Sequence, residues 1–592
     1  MTTTTPTGPR LAVAPPRRDA AGPLRVLAPG APATAPGAPD DPGSAAPPVE
    51  VRAAVPGAAQ VLTGPALDFL ADLHTRFAGR RAELLAARHE RRQRLVTGAL
   101  PDFLPETAPI RADRSWQVAP PPPGLVDRRV EITAPPDRRS AAAALRSGAQ
   151  VWVADLADGT APHLAAVVAG QTVLHDVVRG QAVMHDAVRG LAADAPAGTP
   201  TGDAPAGAPT GGPPAAPAAP TVVLRPRGWH LVEKHLRVDG EPMVGALVDA
   251  GLYLFHNAAE LLARGTGPYL SLPALENHLE ARLWRDVFVA AEDALGLPRG
   301  SVRATATIET VMAAFEMEEI LYELREHSAG LSLGRPEAYL FSVIKKFRDG
   351  GPAWVLPDWT ETTVAPFLRA RTELLVRTCH KRGAHAIGAT TAVVPTEGPA
   401  GAEVITEVRA QKQREADAGL DGSGVADPGL VGVVADVFTG VLGTRPHQLW
   451  RTREEVHVTA RDLLAVGTAP GRITRDGLRT NVAVALRYLQ AWLGGRGTVP
   501  LAGLAADTAT AEVCRAQVWQ WVRTGARTAD GAVVTADLVA QVLAEEVAAA
   551  TRDADGEADR QHVAAAADLV AEVALGEEFP TFLTLPAYAR WV

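Results

Sequence analysis

The sequence predicts an α/β fold: a (β/α)8 barrel of the TIM type, with a helical segment ahead of it and a helical domain behind it. Three observations carry the prediction. Between residues 129 and 430, short runs rich in β-branched and apolar residues alternate with helix-length segments, the signature of parallel strands joined by crossover helices. Eight such runs occur: Val130–Thr133, Gln150–Asp155, Val222–Pro226, Pro268–Leu272, Val302–Ile308, Gly330–Leu333, Trp354–Leu356 and His385–Gly388. Two acids, Glu309 and Glu337, stand where a strand-like run gives way to a helix, on the rim where such barrels carry their sites.

Taken in order, residues 1–58 are rich in Pro, Ala, Gly and Thr and predict a disordered tail, because they offer little apolar surface to offset the entropy of ordering. Residues 59–128 predict a helical clasp. Thr63-Gly64-Pro65 is a helix start, and Leu70, Leu73, Phe77 and Leu84 recur at helical spacing. The basic continuation Arg88–Arg94 reads as a solvated face. Within the barrel, GQTVLHDVVRG is followed at once by GQAVMHDAVRG, which predicts a duplicated surface helix bearing His175 and His185. Residues 191–220 are Ala/Pro/Gly/Thr repeats and predict a disordered insert. Residues 431–592 predict a helical domain. Val482, Leu486, Leu489 and Leu493 form one helical stripe, and Val513, Val518, Trp519 and Val522 another.

Composition narrows the function. A net charge of −9 argues against nucleic acid and anionic membranes as partners. Two cysteines make neither a disulfide framework nor a thiolate metal cluster and fit a reducing cytoplasm. No run is long and apolar enough to span a membrane, and the N-terminus lacks the apolar core of a secretory signal.

Several residues can carry chemistry. Glu309 and Glu337 offer hard oxygen donors suited to Mg²⁺. Arg225, ending the third run, can stabilise an oxyanion or bridge to a local acid. Asp155 and Asp158, ending the second, can orient that arginine or a metal's water, or cap the next helix. Asp507 opens a C-terminal helix, as an N-cap or as a carboxylate base brought from a separate domain. Cys379 and His380 show no metal-ligand spacing.

Eight segments together resemble malate synthase of the A form. They are Asp-Arg-Arg-Val-Glu-Ile-Thr (127–133), Arg-Pro-Arg-Gly-Trp-His-Leu (225–231), His-Leu-Glu-Ala-Arg-Leu-Trp (278–284), Ile-Glu-Thr (308–310), Glu-Ile-Leu-Tyr-Glu-Leu-Arg-Glu-His (319–327), Arg-Thr-Cys-His-Lys-Arg-Gly-Ala-His-Ala (377–386), Asp-Thr-Ala-Thr-Ala-Glu (507–512) and Phe-Leu-Thr-Leu-Pro-Ala-Tyr (582–588). The resemblance runs from about Leu62 to the C-terminus, the insert excepted. It implies a TIM barrel with an N-terminal clasp and a C-terminal plug. It also implies condensation of acetyl-CoA with glyoxylate and water to malate and CoA, in the glyoxylate and tricarboxylic acid cycles, with Mg²⁺ polarising the aldehyde. By the same resemblance Asp507 is the base, Arg225 the enolate-stabilising arginine and Glu309 the first metal ligand. Glu337 is then the second, Gly334 and Arg335 with Asp155 and Asp158 contact substrate, and the enzyme is a monomer or small homo-oligomer.

The chain departs from the family pattern around the rim. Where the family has Gly-Arg-Trp-Asp-Tyr, it has Gly334-Arg335-Pro336-Glu337-Ala338-Tyr339, with one residue inserted. The acidic run after the second strand is Asp155-Leu156-Ala157-Asp158, one carboxylate short, and the lysine of Leu-Pro-Lys is Ala274. Gly-Gly-Met is Gly388-Ala389-Thr390, and Met-Glu-Asp is Ala505-Ala506-Asp507. Two alternatives follow: a related acyl-CoA condensing enzyme acting on another 2-oxo acid, or a weakly catalytic paralogue that binds CoA or a protein partner.

Overall fold

In the computed structural model, residues 48–180 and 219–592 are described. The expected tail up to residue 47, the second copy of the duplication with His185, and the expected insert up to residue 218 lie outside them.

Eight parallel strands form the barrel: β1 (Val130–Ala134), β2 (Val151–Asp155), β3 (Thr221–Arg225), β4 (Tyr269–Leu272), β5 (Arg303–Ile308), β6 (Ser328–Leu333), β7 (Ala386–Ile387) and β8 (Ser423–Val425). Each pairs with its neighbour in order, and β8 returns to pair with β1. Parallel bridges from Ile387 to Gly422 and from Thr391 to Val425 close the ring between β7 and β8. The strands are buried on both faces, β2 and β5 at every residue, which is why their sequences read as unbroken runs rather than alternating ones.

Seven expected strands are present, and one is corrected. Trp354–Leu356 is not a strand: Pro352–Trp354 is a 3₁₀ turn, and the Trp354 ring stacks on Phe347 at 3.8 Å. The backbone polar groups of Leu356 are met by side chains instead of a ladder. Its N–H donates to Gln520 Oε1 (3.1 Å), and its carbonyl accepts from Trp521 Nε1 (2.9 Å). The true eighth strand is Ser423–Val425, inside a stretch that reads as loop because glycines flank its serine. The first of these glycines is sterically required, since a Cβ on Gly422 would lie 1.8 Å from the Arg128 carbonyl oxygen.

Ahead of residue 59, Glu50–Val51 pairs antiparallel to Val232–Val238. Helix α1 (Gly64–Val96) follows, its N-terminus capped by Thr63, whose Oγ1 accepts from Ala66 N. Leu70, Leu73 and Phe77 bury against the barrel's helices. Its basic end is not a solvated face throughout. Arg88 is largely buried and donates to both carboxylate oxygens of Glu280 (2.7 and 2.6 Å) and to the Ala274 carbonyl (2.7 Å).

Helix α2 (Pro336–Phe347) leaves β6 at the rim. Beyond the barrel, α3 (Arg475–Leu493) and α4 (Thr508–Thr524) pack with Ala536–Asp553 and Gly556–Leu575 around a separate core containing Leu486, Leu489, Trp521 and Leu569. The helix Val431–Leu442 instead packs Val434, Val437 and Phe438 into the barrel core. Within the C-terminal part, the residues of the second core start at Leu478, beyond the expected boundary at 431. Helix α4 lies along α2 and so carries its own N-terminus to the barrel rim.

Candidate active site

The strand ends place the acids and the arginine together. Asp155 and Arg225 end neighbouring strands and are register partners, while Glu309 directly follows β5. Arg225 Nη2 donates to Asp158 Oδ2 (2.6 Å) and to Glu309 Oε2 (3.1 Å), and its Nε lies 3.5 Å from Asp155 Oδ1. That Nε is buried and has no hydrogen-bond partner among the described residues. Asp155 Oδ1 accepts from the N–H groups of Ala157 and Asp158, fixing the turn that presents Asp158. Glu309 Oε1 accepts from Ala274 N. Gly334 is what lets Glu309 stand there: a Cβ at 334 would lie 2.0 Å from the Glu309 Cβ.

Asp507 comes from the other side. It is the N-cap of α4, with Oδ1 accepting from Ala509 N (3.0 Å) and Thr510 N (3.2 Å). Arg335, at the mouth of α2, ion-pairs with the same oxygen. The N-cap reading of this aspartate is met through one oxygen, while Oδ2 makes no hydrogen bond to any described residue.

Too many carboxylates share too few cations. Burial pushes the Asp507 carboxyl up to about 6, against the pull of Arg335, and Asp158 and Asp155 add to the rise. Burial likewise raises Asp155 and Glu309, although Arg225 opposes it in both. Arg225 itself is desolvated yet held well above its ordinary value by Glu309, Asp158 and Asp155.

These groups line a cavity of about 490 Å³ between the barrel rim and the C-terminal domain. Asp155, Asp158, Arg225, Glu309, Gly334, Arg335 and Asp507 all reach it. Glu337 does not. It is buried in the first turn of α2 and lines no cavity described here, whereas its neighbour Ala338 lines this one and the next.

A second, smaller cavity of about 100 Å³ lies behind Glu309. His230 and Lys345 reach it, and the Phe582 ring stands between them, stacked on His230 at 4.0 Å and 3.6 Å from Lys345 Nζ. Burial pushes both groups well below their ordinary values. Sequence reasoning missed this cavity, and missed Arg496 on the rim of the larger one. The available signals were a lysine pair on an otherwise apolar helix and an arginine between glycines, Gly495-Arg496-Gly497.

Comparison with known proteins decides the family. The chain matches "Malate synthase, N-terminal domain" over residues 49–109, "Malate synthase, TIM barrel domain" over 221–466 and "Malate synthase, C-terminal" over 472–591. It is 50% identical to the malate synthase of Streptomyces clavuligerus over 92% of this chain and 98% of that protein. The chain belongs to the malate synthase family. It is also 40% identical to malate synthase A of Escherichia coli K12, over 89% of this chain and 95% of that protein. The same identity holds for a glyoxysomal malate synthase of Candida tropicalis, over 91% and 95%. The matched N-terminal domain starts at 49, next to the strand Glu50–Val51, and the C-terminal match starts at 472, shortly before Leu478 of the second core.

Proposed function

We propose that this malate synthase condenses acetyl-CoA with glyoxylate and water, and that the larger cavity is where it does so. The observation that carries the reading is the meeting of Asp507, from the C-terminal domain, with Arg225 and Glu309, from the barrel, in one water-restricted space. A carboxylate raised to about 6 is a stronger base than a solvated one and is still ionised at neutral pH. Asp507, anchored through Oδ1, takes a proton from the acetyl methyl group at Oδ2. The unpartnered Nε of Arg225 supplies a donor for the enolate oxygen. Arg335 and the N-terminal turn of α2 receive the glyoxylate carboxylate. The enolate carbon then attacks the aldehyde carbon, and water cleaves the thioester to release malate and CoA.

The donor set fits Mg²⁺. Asp158 Oδ2 and Glu309 Oε2 converge on one point, each within hydrogen-bond reach of the same Arg225 nitrogen, and Mg²⁺ needs only one or two carboxylates besides substrate and water. We assign its binding to Glu309 and Asp158 rather than to Glu337; bound there, the metal would polarise the aldehyde oxygen. No helix among the described residues is long and apolar enough to cross a membrane. The buried free thiols Cys379 and Cys514 support a cytoplasmic location.

The test is release of CoA thiol by the purified full-length protein with Mg²⁺, acetyl-CoA and glyoxylate. Turnover that Asp507→Asn abolishes supports the assignment. Turnover that the variant leaves intact, or none in the parent, overturns it.

A further inference from the structure

Three departures from the family pattern, Ala157, Ala274 and Ala338, come from three different rim turns: the first two put an alanine where the family has a carboxylate and a lysine, and the third lies in the Pro336-Glu337-Ala338 segment that is one residue longer than the family's. The fold brings all three to one place, the wall of the smaller cavity. That cavity adjoins the larger one. Asp158, Thr160, Glu309, Ala338 and Ala509 line both, so the space opens beside the groups assigned to the aldehyde substrate, while Asp507 itself lines only the larger.

The smaller cavity's chemistry is selective. Its far end is closed by Phe341, Phe582 and Trp492. Each of its carboxylates has a cationic partner: Glu276 pairs with Lys346 (2.6 Å), Glu512 with Arg515 (2.8 Å), and Asp158 and Glu309 with Arg225 (2.6 and 3.1 Å). Lys345 lies over an aromatic face rather than against an acid. A volume of about 100 Å³ holds several heavy atoms, since one water needs roughly 10–15 Å³ of such space. Glyoxylate carries only a hydrogen on its carbonyl carbon and uses none of it.

We infer that the smaller cavity receives the side chain of a 2-oxo acid with a short aliphatic group, of the size of pyruvate, 2-oxobutyrate or 2-oxoisovalerate. This inference rests on the condensation proposed above. The methyl carbon of acetyl-CoA gives its proton to Asp507 and bonds to the ketone carbon of the acid. The ketone oxygen takes a proton and becomes a tertiary hydroxyl. Water then breaks the carbon–sulfur bond, leaving a 2-alkyl-2-hydroxysuccinate and CoA thiol, with no net oxidation or reduction.

The experiment follows thiol release by the full-length protein with Mg²⁺, acetyl-CoA and each acid in turn, glyoxylate included. With 2-oxobutyrate, kcat/KM should come within about tenfold of the glyoxylate value, as expected where a pocket accommodates the added methylenes. Ala338→Leu and Ala157→Leu fill the cavity from different turns, so that one misfolded variant does not decide the result. Each should lower the ratio of 2-oxobutyrate to glyoxylate activity by at least about tenfold. Turnover of glyoxylate but of no longer acid, or a ratio that both fillings leave unchanged, overturns the inference and leaves the proposed function standing. So does a result in which the fillings cut only the use of propionyl-CoA in place of acetyl-CoA. If no acid is turned over, the proposed function falls and titration calorimetry with 2-oxobutyrate decides. Binding weakened by Ala338→Leu sustains the cavity assignment, and equal binding removes it.

Discussion

Arg225 and Arg227 lie two residues apart, and each is surrounded by buried carboxylates. Around Arg227 the charges are matched. Its guanidinium donates to Asp249 at 2.8 and 2.9 Å and to Glu233 at 2.9 Å, and His235 meets the second oxygen of Glu233 at 2.7 Å. Although burial opposes it, Arg227 and His235 hold the Glu233 carboxyl below its ordinary range. Around Arg225 three carboxylates share one guanidinium, two of them are pushed up rather than down, and one arginine nitrogen is left without a partner. The sealed cluster is built so that every charge is content in one state. The rim cluster is built so that a proton and a ligand still have somewhere to go. Sequence places the two arginines side by side in one motif; only their neighbours separate a structural role from a chemical one.

The comparison can be broken most directly at Asp507. Asp507→Asn keeps the N-cap, because Asn caps as well as Asp, but cannot accept the methyl proton. Thiol release should fall by about 10²–10⁴-fold, the usual contribution of a positioned base, while the thermal midpoint stays within a few degrees of the parent's. A large drop in the midpoint alongside the activity would show a structural role instead.

The next effect lies in the sealed cluster. Arg227→Gln strands two buried carboxylates and should cost about 3–5 kcal/mol in urea unfolding, as breaking a buried ion network does. Arg225→Gln should cost clearly less, because burial already raises the Asp155 and Glu309 carboxyls, so that losing the arginine makes it easier for them to take up protons. Its penalty should shrink as pH falls from 8 to 5, and its kcat should drop by about 10²–10³-fold, the scale of a lost oxyanion donor. Equal and pH-independent penalties at 225 and 227 would erase the distinction drawn between the clusters.

Most of the barrel was legible because its buried parallel strands are rich in apolar and β-branched residues, and that pattern survives in a single sequence. It failed where packing, not propensity, makes the strand. Ser423–Val425 carries Gly424 within it and Gly422 before it, where backbone must approach backbone, and such contacts leave no hydrophobic run. Trp354–Leu356 has the right residues for a strand, but Gln520 and Trp521, more than 160 positions away in sequence, take its hydrogen bonds. At the site, Asp507, Arg225 and Glu309 were legible as candidates from motifs, and the structure brings them to one cavity. Glu337, in the first turn of α2, does not line it, because composition shows that a carboxylate is present in the loop but not which way it points. The alanines at 157, 274 and 338 carried no chemical signal singly; their meaning lies in sharing a wall.

The mildest test of the comparison is pH. With its carboxyl at about 6, Asp507 must be ionised to act, so kcat/KM should fall about tenfold per unit as pH drops below 6 and level off above 7. The stability trend runs the other way. The folded value lies above the ordinary 3.8, so between 3.8 and about 6 the folded protein binds more protons at this group than the unfolded chain. Its contribution to unfolding free energy is therefore fully favourable below that window and is lost as pH rises through it. At the matched cluster the sign is opposite: Glu233 is held low, so its contribution is present at neutral pH and is lost as acid protonates it. Thermal midpoints of the parent and of Asp507→Asn, compared from pH 4 to 7, should thus shift in the variant's favour as pH rises, while activity in the parent climbs over the same range. Activity and stability that fall together on acidification, with no difference between parent and variant, would place the acid limb in general unfolding and not at Asp507.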